Sequence, residues 1–259
     1  MKLNILVTSG GTTENIDAVR SISNMSTGKL GSIIAEKFAN EPVVEKVIYI
    51  CSKKAFKPQS NKLEVVYVDS VSSLENAVRE AAGKTNIDII VHSMAVSDYR
   101  VKAVTSAANI AEKIVSGFDM AGELDAETVK STFVSLIGES ESVIHGDGKI
   151  SSNVDGMVLF MEQTPKIISL FQTIAPQSTL VGFKLLDNVP HETLIDRGFH
   201  ILTHNKCSFV LANDLKDIKS GLHIGYLIDK DRNYTRYAGK DEIADAIVSV
   251  TIHERENQI

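Results

Sequence analysis

Short apolar runs alternate along the amino-terminal half of the chain with segments whose apolar positions recur every three to four residues. Runs at Leu3 to Thr8, Lys46 to Cys51, Leu63 to Val68 and Ile87 to His92 predict strands; Gly28 to Asn40 and Ser72 to Gly83 predict amphipathic helices. A run such as IDIIVH has almost no polar alternation, so both its faces are expected to be covered, as in a parallel sheet with helices on either side. The pattern predicts an α/β fold, a Rossmann-like doubly wound, mainly parallel sheet. Ligands of such sheets bind outside the carboxyl ends of the strands, where Ser9-Gly10-Gly11 and Ser93 to Asp98 both fall.

The alternation breaks between Tyr99 and Met161, where helical patches at Ala107 to Val115 and Asp125 to Leu136 lead into a glycine-rich loop, His145-Gly146-Asp147-Gly148. It resumes with a strand at Met157 to Met161, a helix over Pro165 to Ile174, a strand at Thr179 to Phe183, a helix over His191 to His204 and a strand at Phe209 to Ala212. Leu222 to Ile228 and Tyr234 to Tyr237 flank a polar turn and predict a hairpin, and Lys240 to Glu254 a closing amphipathic helix. No repeat or linker is visible. One domain over 1–259 with an excursion over 99–161 is therefore expected.

The polar stretch SGGTTENIDAVRSISNMSTGKLG, Ser9 to Gly31, follows the first strand directly. Gly10 with Gly11, and Gly28 with Gly31, bracket Thr12, Thr13, Arg20, Asn24 and Ser26, all able to hold a carboxylate or phosphate. Glycine admits close approach of backbone N–H groups to an anion, and the following helix start adds partial positive charge. Neither common glycine loop fits: the dinucleotide spacing G-x-G-x-x-G is absent, and the Walker A positions hold Ser23 and Leu30. Taken alone, the glycines would serve turns and a helix start equally well.

Gly11, Thr13, Glu14, Asp17, Val19-Arg20, Ile22-Ser23-Asn24, Ser26-Thr27-Gly28 and Gly31 together resemble the first motif of the phosphopantothenate-cysteine ligases. Ala95-Val96-Ser97-Asp98-Tyr99 resembles that family's A-V-x-D-Y motif, Lys149-Ile150 its lysine-containing flexible loop and Thr164-Pro165 the segment after it. Gly182-Phe183 resembles its G-F turn and Ala212-Asn213-Asp214 its A-N-D loop, all in family order over nearly the whole chain.

The resemblance implies ligation of phosphopantothenate to L-cysteine through an acyl-nucleotide, in coenzyme A biosynthesis. CTP is the implied nucleotide, with ATP as the alternative, and Mg2+ accompanies it. The motifs assign no metal ligands. Asn24 and Arg20 are implied to bind the acid substrate. Asn24 is the first catalytic candidate, because a neutral amide can follow the charge that develops on the acyl carbonyl. Its local alternative is a side-chain turn bond. Arg20 offers a fork suited to phosphate or carboxylate, or a structural ion pair with Glu14 or Asp17.

Lys149 is implied to swing over the triphosphate, and Ser151 and Ser152 stand where the family often has further lysines. Gly10, Gly11, Ser26, Gly28, Gly31, Ala95, Asp98, Thr164, Pro165, Phe183 and Asn213, with Lys149, make up the implied nucleotide site. Phe183 would wall the base and Asn213 pair with its edge. Lys184-Leu185-Leu186 replaces the acidic and small residues that the family carries after G-F. The excursion is implied to form a homodimer and to carry an active-site flap. A bacterial monofunctional type is expected, since no decarboxylase-like segment precedes the first strand.

The chain has 259 residues, 43% of them hydrophobic, enough for a substantial core. A net charge of -6 argues against a nucleic-acid surface but not against a local anion site. Cys51 and Cys207 are the only cysteines and give no disulfide framework. With no room for a signal peptide before the first strand and no bilayer-length apolar run, a cytoplasmic protein away from membranes is expected. His200 and His204, four apart with Cys207 beyond, suggest either a metal-binding helix face or a helix end where histidine favours the dipole. Two rival readings remain: an NAD(P)-dependent reductase on the same fold, and a non-catalytic nucleotide-binding module.

Overall fold

The structure, a computed structural model, describes residues 2–121, 125–127, 129–131, 134, 149–151 and 153–257. The chain divides into two compact units. One comprises Met1–Thr12, Asn24–Val96 and Lys166–Ile259, the other Thr13–Ser23 and Ser97–Pro165. The expected excursion lies in the second unit, which also takes in part of the polar stretch after the first strand.

The first unit holds an eight-stranded sheet: β1 (Leu3–Ser9), β4 (Val44–Ser52), β5 (Leu63–Val68), β6 (Ile89–His92), β9 (Thr179–Leu186), β10 (Phe209–Asp214), β11 (Ile224–Ile228) and β12 (Tyr234–Ala238), with β2, β3, β7 and β8 left to the other unit. The order across the sheet is β12-β11-β10-β9-β6-β1-β4-β5. From β5 to β10 every pairing is parallel, and β11 and β12 add an antiparallel hairpin at one edge. Chain order reverses at β1, where β4 lies on one side and β6 on the other. That is the switch point at which doubly wound sheets open a crevice for ligands.

Both faces are covered, as the unbroken apolar strands predict. Leu3, Ile5 and Val7 of β1 pack with Ile34, Ala35 and Phe38 of α1 (Lys29–Asn40) and with Ile243, Ile247 and Val248 of the closing helix Lys240–Asn257. Leu6, between them, points into the opposite layer with Leu74 and Val78 of α2 (Val71–Lys84). Ile167 and Phe171 of the helix Ile167–Ile174 and Leu194, Ile195 and Leu202 of the helix His191–His204 complete that layer. At roughly 25 cal/mol per Å² of apolar surface, such two-sided burial is the main stabilising term. Ser70 caps α2 by accepting from the Ser73 amide, in a reciprocal capping box.

The second unit contains a short hairpin, β2 (Thr13–Asn15) with β3 (Ser21–Ser23), and an antiparallel pair, β7 (Tyr99–Ser106) with β8 (Met157–Gln163). α3 (Ala107–Ala121) follows β7. One expectation is corrected here. β8 does not rejoin the main sheet but pairs with β7, and the middle of the polar stretch pairs with itself as β2 and β3. YRVKAVTS alternates weakly enough to have escaped notice as a strand. Of the helix expected over 125–136, residues 126, 127, 129–131 and 134 are helical and Asp125 is not; 128, 132, 133, 135 and 136, the loop 145–148 and Ser152 lie outside the described residues.

Candidate active site

In the first unit the carboxyl ends of β1 and β6 are knit together by backbone bonds. Ser93 N–H donates to the Thr8 carbonyl at 3.1 Å, Ala95 N–H to Gly10 at 2.8 Å, and Thr12 N–H to Ala95 at 3.1 Å, with Gly11 and Ala95 forming a parallel bridge. The chain returns beside this seam at Asn24, whose N–H donates to the Thr12 carbonyl at 3.1 Å. A Cβ on Gly11 would overlap the Asn24 carbonyl oxygen, so this close return requires glycine. The exposed Asn24 side chain donates from Nδ2 to the Val96 carbonyl at 2.9 Å. Its amide is thereby oriented from the loop after β6, and its partner is not the local turn bond that the sequence offered as an alternative.

Hydroxyls complete the seam. Ser9 Oγ donates to the Gly28 carbonyl at 3.0 Å, bringing the start of α1 to the end of β1, and Ser93 Oγ donates to the Thr8 carbonyl at 2.7 Å. Gly31, in the first turn of α1, faces both hydroxyls so closely that a Cβ there would overlap them. Ser26 Oγ accepts weakly from Gly28 N–H at 3.4 Å. Gly10, Gly11, Asn24, Gly28, Gly31 and Ala95 are thus brought together at the switch point. Under them, buried His92 pairs through Nδ1 with Thr8 Oγ1 at 2.8 Å and stands edge-on to the Phe171 ring at 5.4 Å. Burial pushes the His92 imidazole down to about 4, so it is neutral at physiological pH. Nothing in the sequence marked it beyond an apolar strand ending in histidine.

Phe183, in the carboxyl half of β9, packs partly buried against the core, and buried Asn213 donates from Nδ2 to the Ile224 carbonyl at 2.6 Å, tying β10 to β11. The neighbouring Asp214 accepts from Asn188 N–H at 2.8 Å, Lys216 N–H at 2.8 Å and Val189 N–H at 3.1 Å. These amide donors, Asn188 first, hold its carboxyl below the usual range and pin the loop after β9 to the end of β10.

In the second unit Arg20 is committed. Its Nε and Nη2 donate to Asp17 Oδ2 at 2.9 and 2.6 Å, and Nη2 also donates to the Ile150 carbonyl at 2.8 Å. Asp17, its side chain fully buried, also accepts from Val19 N–H at 2.9 Å, Arg20 N–H at 2.7 Å and Ile150 N–H at 3.1 Å. The Arg20 guanidinium and these amides hold its carboxyl far below the usual range. Lys149 is exposed next to buried Ile150. Thr164 closes onto the segment after β6 through Oγ1 to the Ser97 carbonyl at 2.5 Å and N–H to the Asp98 carbonyl at 3.0 Å, leaving Pro165 exposed beside it.

Among the described residues no group of three or more His, Cys, Asp or Glu side chains is placed to hold a metal, and no helix is long and apolar enough to cross a membrane. His200 and His204 stack with ring centroids 5.8 Å apart. Both cysteines are buried, which pushes their thiols up to about 11 at Cys51 and about 12 at Cys207.

A doubly wound α/β sheet with a glycine-lined, amide-bearing seam at its switch point defines the class. The family model for the DNA/pantothenate metabolism flavoprotein C-terminal domain matches residues 1–127. The crystal structure of the DNA/pantothenate metabolism flavoprotein from Streptococcus pneumoniae is 33% identical and superimposes with a TM-score of 0.75, covering 95% of this chain and 97% of that one. The chain belongs to this family. The coenzyme A biosynthesis bifunctional protein CoaBC of Methanocaldococcus jannaschii is 26% identical over 94% of this chain and 49% of its own length. The chain spans about half the length of the curated relatives it matches. The crystal structure of the C-terminal domain of a CoaBC protein shares the fold, with a TM-score of 0.66 at 21% identity, covering 98% of this chain and 96% of that one.

Proposed function

We propose that the protein joins phosphopantothenate to L-cysteine in coenzyme A biosynthesis. The acid's carboxylate attacks the α-phosphorus of a nucleoside triphosphate, CTP before ATP, and expels pyrophosphate. The cysteine amine then attacks the acyl carbon, forming the amide as the nucleoside monophosphate leaves and the nitrogen gives up a proton. Family membership supports the substrates.

The observation that carries the mechanism is the Asn24 amide, held at 2.9 Å on the Val96 carbonyl beside the Gly11–Ala95 bridge. A neutral donor fixed before the reaction stabilises charge on the acyl oxygen without trapping the carboxylate ground state. The glycine seam with Ser26 supplies backbone donors for phosphate. Lys149 supplies a cation for the nucleotide phosphates, and Arg20 keeps the positive charge of the motif within an ion pair. Asp98, Thr164 and Pro165 border the nucleotide, Phe183 walls its base and Asn213 meets the base edge. Magnesium, held chiefly through the substrate phosphates as is usual in nucleotide sites, would neutralise phosphate charge there.

The test mixes the protein with phosphopantothenate, CTP and Mg2+, then adds cysteine. Pyrophosphate release in the first stage and phosphopantothenoylcysteine in the second are expected. A folded protein that binds CTP but releases no pyrophosphate in either stage is not this ligase.

A further inference from the structure

The turn between β2 and β3 is more heavily bonded than a turn needs. An aspartate there is satisfied by the two amides that follow it, and Asp17 accepts both, from Val19 and Arg20. Yet its second oxygen also accepts from Ile150 N–H, 133 residues further on, while Arg20, paired to that same oxygen, donates to the Ile150 carbonyl. One ion pair, its carboxylate buried and its guanidinium partly exposed, therefore grips both backbone groups of one distant residue, as an adjacent strand would. The Ile150 side chain is 3% exposed, so that residue is fixed on its side-chain face as well. Lys149 leaves the chain immediately before this fixed point.

We propose that Asp17 is a positioning residue for Lys149, acting through the backbone of Ile150; this rests on the ligase reading above. The Asp17 side chain is fully buried and is assigned no contact with substrate. Its carboxylate, with Arg20 as the charge partner, sets where the Lys149 main chain begins, and so where the ammonium can reach. Positioning of this kind bears on the transition state, since misplacing a catalytic group by about 1 Å costs up to about a hundredfold in rate. The Asp17→Asn change replaces one carboxylate oxygen by an amide nitrogen, which cannot accept from the Arg20 and Ile150 donors that converge there.

The experiment is a double-mutant cycle on pyrophosphate release, using the full chain with phosphopantothenate, CTP and Mg2+. Parent, Asp17→Asn, Lys149→Gln and the double variant are compared, with folding checked by circular dichroism. Asp17→Asn should lower kcat about tenfold or more with little change in the KM for CTP, and should have less than about a twofold further effect on Lys149→Gln. Hydrogen exchange at the Ile150 amide should speed up in Asp17→Asn. Equal losses with and without Lys149, or an unchanged Ile150 exchange rate, would overturn the proposal while leaving the ligase reading intact. A parent that releases no pyrophosphate ends both. Should Asp17→Asn not fold, Arg20→Lys serves instead: it keeps the charge but loses the fork, and the same non-additivity with Lys149→Gln is required of it.

Discussion

Asn24 and Val96 lie 72 residues apart in sequence, yet the Asn24 amide donates to the Val96 carbonyl at 2.9 Å and joins the segments that follow β1 and β6. The same group is therefore both an orienting clasp and, in the proposed reaction, the donor to the acyl oxygen. Replacing it should slow amide formation more than nucleotide attack. Losing one such donor typically costs about 3 kcal/mol of transition-state stabilisation, or about a hundredfold in rate. In Asn24→Ala an acyl-nucleotide should accumulate, visible by mass spectrometry after phosphopantothenate and CTP are mixed. Near-normal amide formation by a folded variant would remove Asn24 from the mechanism.

Gly31→Ala probes the seam itself. The added methyl has nowhere to go without displacing the Ser9 and Ser93 hydroxyls, which hold the carbonyls of Gly28 and Thr8. Overpacking of this kind typically costs about 1–3 kcal/mol. Urea unfolding should show a loss in that range, and calorimetry should show weaker CTP binding. Parent-like stability together with parent-like affinity would mean that α1 shifts freely, contrary to its packing against β1.

The nucleotide preference should favour CTP. The expectation comes from the family resemblance; Phe183, packed against the core, and Asn213, tied to the Ile224 carbonyl, are the proposed base contacts. kcat/KM measured for CTP and ATP at matched Mg2+ decides the matter, and an equal or higher value for ATP would reverse the assignment.

Self-association is expected to run through the second unit. The carboxyl half of β7 is buried within that unit, with Ala103 and Val104 at 5% and 4%, whereas Tyr99, Met157 and Met161 of the β7–β8 pair stay exposed at 50%, 37% and 38% and offer an apolar face to a second copy. Light scattering at micromolar concentration should give a homodimer, and charge substitution at Met157 and Met161 together should dissociate it. A parent that is monomeric at that concentration would count against the excursion as a dimer element.

The inner strands of the sheet were legible because they are apolar on both faces: Leu3, Ile5 and Val7 enter one helical layer and Leu6 the other, and no half-exposed strand reads that way. β7 was not, since alternation as weak as YRVKAVTS leaves no clear period. In the site, the glycines stood out because a backbone that must approach another chain segment or an anion limits the residue type, and Asn24 through its place in the family-like motif and its neutral amide. The grip of Asp17 on Ile150 left no local trace. A hydrogen bond across 133 residues constrains two positions jointly, and one sequence shows Asp17 and Ile150 only as members of two separate motifs.

His92 gives a pH signature independent of catalysis. Burial lowers its pKa from an ordinary 6.5 to about 4 beside Thr8 and Phe171, so the folded state holds the imidazole neutral while the unfolded chain takes up a proton below pH 6.5. Stability from this group is complete above the unfolded pKa and falls as pH drops from about 6.5 towards 4, because the unfolded state binds more protons over that window. Below the folded pKa both states are protonated and the loss levels off. His92→Gln keeps a polar partner for the Thr8 hydroxyl and removes the titration. Urea unfolding at pH 7 and pH 4.5 should therefore show a drop in the parent that exceeds the drop in the variant by about 2 kcal/mol. Every other titrating group is shared by the two proteins and cancels in the comparison. Equal drops in parent and variant would mean that His92 titrates normally and that its bond to Thr8 survives protonation.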